Sequence, residues 1–198
     1  MKNERTEELL DGRRARGADN RRRIVDAFVA LVGKGNLSPT AEEIASRADV
    51  GLRTVFRHFD DMESLYREIS AVIEVRVRAI VDRPLEAKSW RDQLREIIGR
   101  RVRVYEEITP YKLSAMSNAT GSAFLRQEAM QFARLQRAYF ERVLPPAIRA
   151  DKATIDMLDM SLSFEAWLRL RREQELSAEA VHRLWLDLVD RILKGAAT

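Results

Sequence analysis

The sequence predicts an all-α fold, and three observations carry that prediction. Apolar residues recur at steps of three and four from Ile24 to the end of the chain. No stretch alternates apolar with polar residues for the length of a strand, so no hairpin turn lies between two such stretches. Caps and stops punctuate the helical pattern: Thr40 with Glu43, Ser89 and Ser177 open helices, while Pro84, the Pro145-Pro146 pair and Gly195 close them.

The elements follow in order. Ile24, Ala27, Phe28, Leu31 and Val32 share one face and predict a first helix from about Arg21 to Lys34, ended by Gly33 and Gly35. Thr40-Ala41-Glu42-Glu43 is a capping box, because the Thr40 hydroxyl can accept from the Glu43 amide while the Glu43 carboxylate reaches back. It opens a short helix with Ile44, Ala45 and Ala48 inward. A second short helix runs from about Gly51 to Phe59, and a long one from the Asp60-Asp61-Met62-Glu63 cap to about Asp82. After Ser89 a helix begins at Trp90 and runs toward Thr109-Pro110, followed by a short one from Tyr111 to about Ala119. Another spans Ser122 to the Pro145-Pro146 pair. The last two run from about Asp151 to Gln174 and from Ala178 to Lys194, giving about nine helices.

Composition narrows the chemistry. The 198 residues contain no cysteine and only His58 and His182, which excludes disulfides, cysteine-bound metals and thiol nucleophiles, and leaves little for a histidine metal site or triad. No cofactor or metal is therefore expected. The longest apolar run, Ala27 to Val32, is far too short to span a bilayer, and the first 23 residues lack a signal peptide's apolar region. A cytoplasmic protein with no membrane contact is the expectation. The basic residues are almost all arginine, which gene base composition can produce and which also suits phosphate and guanine. Residues 12–23 carry +5, more than the +4 of the whole chain, so the remainder is slightly acidic. Residues 1–20 are read as a basic flexible arm, residues 21–66 as one domain and residues 67–198 as another. Such an arm can follow a nucleic-acid backbone or simply be solvated.

Residues 40–59 have the build of a helix-turn-helix, two short helices around a tight turn. Ile44, Ala45, Val50, Val55 and Phe59 lock the pair inward, and Leu52, Arg53, Thr54 and Arg57 are left facing out. From Ile24 through Leu65 the sequence resembles the N-terminal domain of TetR-family transcriptional regulators. The matching residues are Thr40, Glu43-Ile44-Ala45, Ala48, Val50, Thr54-Val55-Phe56-Arg57-His58-Phe59, Glu63 and Leu65. The resemblance implies a role for each exposed position. Thr40 would hold a phosphate at the start of its helix. Leu52, Arg53 and Thr54 would face base edges, with Arg53 on guanine and Thr54 on a thymine methyl. Phe56, Arg57 and His58 would lie along the backbone and groove wall. Three positions depart from the family's usual pattern: Asp49 stands for glycine, Phe56 for tyrosine and Met62 for lysine. The usual tyrosine and lysine each bind a phosphate, and the arginine-rich arm is a candidate to do so in their place.

The last two helices carry more apolar surface than one core needs. Ile155, Met157, Leu158, Met160, Leu162, Phe164, Trp167, Leu168 and Leu170 cover most of one helix. On the next, Val181, Leu184, Trp185, Leu188, Val189 and Ile192 form a stripe, with Leu186 and Leu193 off it. A helix apolar on two sides packs on both, which predicts a homodimer through these two helices. Ser163 to Arg171 resembles the dimerising region of many family members. Candidate contacts for a small-molecule effector are Trp90, Tyr105, Met116, Asn118, Phe124, Met160 and Phe164, an apolar set with sparse polar groups. Arg101, at the margin of the Leu94–Ile98 stripe, is read as solvated, with an acidic ligand as the alternative.

The reading that unites these features is a dimeric TetR-like regulator, a repressor that binds a near-palindromic operator in double-stranded DNA and releases it on binding the effector. A tilt of the long helix from Met62 to Asp82 would convey the signal. A helical enzyme is opposed by the absence of cysteines, paired histidines, a phosphate loop and a set-apart carboxylate pair. A family-like ligand- or partner-binding protein without sequence-specific DNA binding is the second reading, and Phe56 and Met62 favour it.

Overall fold

In the computed structural model the backbone is described from Lys2 to Gly195 and side chains from Ala15 to Gly195. The described residues form helices and no strand, in the order α1 (Lys2–Gly33), α2 (Ala41–Ala48), α3 (Leu52–His58), α4 (Met62–Val81), α5 (Trp90–Asn118), α6 (Ala123–Glu141), α7 (Pro146–Ala150), α8 (Lys152–Ser161), α9 (Phe164–Leu168) and α10 (Ala178–Gly195). A 3₁₀ turn covers Ala119–Gly121, and a π turn over Arg169–Glu173 follows α9. Two compact units emerge: Met1–Glu74 with Pro110–Leu125, and Val75–Thr109 with Arg126–Thr198.

Three helix boundaries differ from the sequence expectation. The first helix begins at Lys2, not near Arg21. Residues 2–20 contain no proline and many glutamate, leucine, arginine and alanine residues, which favour helix. The arm expected over residues 1–20 is thus, from Lys2, the beginning of α1. The side chains of Arg13 and Arg14 lie outside the described residues. Second, α5 runs through Pro110 instead of ending there. Proline removes one amide and crowds the carbonyl four residues back; the preceding Thr109 hydroxyl donates to the Tyr105 carbonyl at 2.5 Å. Third, the helix expected from Asp151 to Gln174 is broken after Ser161. Ser163 takes an extended conformation and its hydroxyl caps α9, accepting from the Ala166 amide at 3.1 Å.

The first unit is built on α1. Ile24, Phe28 and Val32 pack against Ile44, Ala45 and Ala48 of α2, Val55 of α3, Phe59, and Leu65, Tyr66 and Ile69 of α4. Phe28 and Tyr66 meet edge to face with centroids 5.4 Å apart. Tyr66 reaches the end of α5, where its hydroxyl contacts Ser114 and accepts from Asn118 Nδ2 at 3.0 Å. Burial pushes the Tyr66 phenol above its ordinary range.

The second unit centres on Tyr105, whose ring meets those of Phe164, Trp167 and Trp185 at 5.3, 5.9 and 6.0 Å. Val181, Trp185, Val189 and Leu193 line the buried face of α10. Leu193 therefore belongs to the core, not off the stripe, because rows spaced by four residues wind slowly round a helix. Arg101 is also corrected: it is 2% exposed. Its Nη1 donates to the Leu162 carbonyl at 2.9 Å and its Nη2 to the Gln136 carbonyl at 2.5 Å, while Nε has no partner. The α8–α9 break frees the Leu162 carbonyl, and the Tyr105 hydroxyl donates to it as well. Arg100 closes the end of α4 in the same manner through the carbonyls of Val81, Arg83 and Pro84.

Asp49, the C-cap of α2, stands in the left-handed region at φ 51 and ψ 52. That conformation costs a non-glycine residue about 1 kcal/mol, somewhat less for aspartate. The Arg23–Asp49 ion pair at 3.1 Å offsets little, because the carboxylate is almost fully exposed. Urea denaturation is expected to show Asp49→Gly more stable by about 0.5 kcal/mol and Asp49→Val less stable by about 1–2 kcal/mol.

Candidate nucleic-acid interface

The second helix begins with the capping box that the sequence announces. The Thr40 hydroxyl accepts from the Glu43 amide at 3.2 Å, and Glu43 Oε2 accepts from the Thr40 amide at 2.7 Å. Asn36 donates to the same carboxylate oxygen at 3.1 Å. These bonds, the Thr40 amide foremost, hold the Glu43 carboxyl below the usual range. With its hydroxyl oxygen accepting inside the cap, Thr40 keeps its hydroxyl proton available at an exposed helix start.

The third helix has seven residues, so it is about 10 Å long. Val55 is its buried residue, and Phe59 is buried just beyond its end. The opposite side carries Leu52, Arg53, Phe56 and Arg57, all exposed, with Phe56 at 58%. Thr54 is half-buried at their margin. Arg53 and Arg57 have no hydrogen-bond or ion-pair partner among the described residues. Two exposed apolar side chains beside two unpaired guanidinium groups suit a groove that carries both phosphates and methyl groups.

His58 is placed differently from its neighbours. It is half-buried, its Nε2 is buried without a partner, and its Cε1 lies 3.9 Å from where a Cβ on Gly17 of α1 would stand. The ring therefore turns toward α1, not along the outer face with Phe56 and Arg57. Burial, then the charges of Arg57 and Arg21, hold its pKa below the usual imidazole range.

Charge alone places Arg21 and Arg23 in the basic segment, whereas the structure gives each a bracing contact. Arg21 Nη1 donates to the His58 carbonyl at 2.8 Å and Nη2 to Glu68 Oε1 at 3.0 Å, with the guanidinium 4.5 Å from the Phe59 ring centroid. Arg23 Nη2 donates to the Asp49 carbonyl at 2.8 Å. The two arginines hold the end of α3 and the turn before it. A signal was present: Arg21 lies three residues before Ile24 and seven before Phe28, on the stripe that faces the core.

The candidate effector residues are divided between the units. Met116, Asn118 and Phe124 belong to the first; Trp90, Tyr105, Met160 and Phe164 belong to the second. Tyr105 and Phe164 are buried against each other, whereas Met160 is 71% exposed on α8. The second unit has a groove of about 760 Å³ between α5 and α10, lined among others by Arg95, Gly99, Val102, Arg103, Glu179 and His182. None of the seven lines it, because aromatic residues at helical spacing form a filled core as readily as a pocket wall.

His58 gives a pH prediction. A histidine held neutral by the fold contributes stability that is fully present above the unfolded pKa of about 6.5 and lost as pH falls through the folded value. Urea midpoints are expected to fall from pH 7 to pH 5, and to fall less in His58→Gln. An unchanged slope in the variant contradicts this placement of the ring.

Residues 24–69 match the sequence profile described as bacterial regulatory proteins, tetR family. No curated protein matches the chain. Among the described residues no helix is long and apolar enough to cross a membrane. The matched segment begins at Ile24 of α1, takes in the capped α2 and the outward face of α3, and ends at Ile69 of α4. Over this segment the chain is similar to the N-terminal domain of bacterial regulatory proteins of the tetR family.

Proposed function

We propose that the protein is a homodimeric, ligand-released repressor that binds a near-palindromic operator through α3. The observation that carries this reading is the division of α3 into one side with Val55 fixed in the core and another with Leu52, Arg53, Phe56 and Arg57 exposed. In it, Arg53 reads guanine, Thr54 and Leu52 meet thymine methyls, and Thr40 and Arg57 bind phosphates on either side. Phe56 packs on sugar and methyl carbons where a tyrosine would hydrogen-bond. His58 supports the helix from behind. The arginines of the basic stretch that begins at residue 12 add phosphate contacts in the same reading.

Support for the dimer comes from the second unit. Met157 and Met160 on α8 and Leu184 on α10 are exposed, on helices that pack against each other. Large apolar side chains clustered on neighbouring helices mark an interface more often than a free surface. A two-fold dimer places two copies of α3 on successive turns of duplex DNA, which is why the operator should be close to symmetric. Release needs a ligand that binds better to the DNA-free state. The open groove between α5 and α10, lined largely by charged side chains, is a candidate place for a polar ligand in this reading.

Two outcomes test the reading. On a duplex selected from random-sequence DNA, Arg53→Ala is expected to cost about 1–3 kcal/mol and to relax one base position. Unchanged affinity and preference would show that α3 does not read the bases as described. In sedimentation, the Met160→Glu, Leu184→Glu double variant is expected to run as a monomer where the parent is a dimer. A variant that stays dimeric rejects this interface.

A further inference from the structure

A seven-residue helix is too short to fix its own direction, since isolated helices below about 12 residues are marginal even with favourable sequences. Val55 and Phe59, with the half-buried His58, hold α3 from its inner side, so the angle of its end is set by the contacts made at that end. The last carbonyls of a helix have no partner within it. At α3 the His58 carbonyl is taken by Arg21, a cation placed where the helix dipole favours one. The same guanidinium lies over the Phe59 ring and is paired with Glu68, on the second turn of α4. One side chain of α1 thus ties the end of α3 to α4.

We propose that Arg21 is a positioning residue for DNA recognition: it sets the tilt of α3, and Glu68 makes that tilt depend on where α4 stands. The inference rests on the reading that α3 meets the bases. It assigns Arg21 no contact with DNA, although this arginine belongs to the most basic stretch of the chain. The fork of Arg21 is needed because two acceptors on different elements are met at once; lysine offers one point charge. When Glu68 moves away, the guanidinium keeps its charge but loses the partner that holds its orientation. The helix end then rocks while Val55 and Phe59 stay buried, so recognition weakens without unfolding.

The test compares the parent protein with Arg21→Lys, Glu68→Gln and the double variant. Each is titrated with the selected duplex and with an unrelated duplex of equal length across a range of salt. Arg21→Lys is expected to weaken binding to the selected duplex about tenfold, or about 1.4 kcal/mol. Glu68→Gln should weaken it several-fold, and the double variant no more than Arg21→Lys alone. Binding to the unrelated duplex and its salt slope should stay as in the parent. Equal losses on both duplexes with a salt slope reduced by about one would overturn the proposal, because Arg21 would then be a phosphate contact. Unchanged binding to the selected duplex overturns it too.

Amide NMR of the DNA-free protein gives a second readout that needs no operator. Glu68→Gln should shift the signals of residues 55–59 with little change in melting temperature. Signals that stay in place reject the proposal even if Arg21→Lys fails to fold. If the parent selects no duplex at all, the reading of α3 fails, and the NMR shifts alone then decide the role of Arg21.

Discussion

The exposed face of α3 depends on the helix being held, because at seven residues it cannot hold itself. Val55 and Phe59 bury its inner side against Ile24 and Phe28 of α1, so the exposure of Leu52, Arg53, Phe56 and Arg57 follows from the pairing of those core residues. The turn before the helix is fixed by Asp49 in its left-handed conformation and by Arg23 on the Asp49 carbonyl. The end after it is fixed by Arg21. Remove any one of these supports and the outward residues are still present in the sequence, but no longer at a defined angle.

The same device recurs through the molecule. An all-helical chain leaves unpaired carbonyls at every helix end, and arginine, with several donors on a planar fork, can take two or three together. Arg21 and Arg23 each take one such carbonyl, together with a carboxylate, in the first unit. In the second, Arg100 closes α4, Arg101 holds the carbonyl freed by the α8–α9 break, and Arg171 takes the Leu176 carbonyl. Part of the arginine excess therefore serves helix ends inside the protein. Arg53 and Arg57, which no protein group engages among the described residues, stand apart from that set.

The legibility of the chain followed the strength of its local signals. The capping box at Thr40, the inward line of Ile44, Ala45 and Ala48, and the outward line of α3 are dictated by neighbours in sequence, and each was readable there. The start of α1 was not, since charge suggested a tail where helix propensity favoured helix. Pro110 suggested a stop, but the helix continues past it. Arg101 looked solvated because its acceptors, Leu162 and Gln136, lie tens of residues away. Tyr105 and Phe164, read as candidate effector contacts, lie in a ring cluster with Trp167 and Trp185, and periodicity alone does not distinguish such a core from a cavity lining.

The proposed function requires two copies of α3, each held from behind, to read DNA together. Its most direct measurement is repeated selection of the full-length protein against random-sequence duplex DNA at physiological salt. One enriched sequence is expected, made of two similar half-sites in opposite orientation, their centres about one helical turn or a multiple of it apart. Binding that enriches no sequence and fades with added salt alone would contradict it.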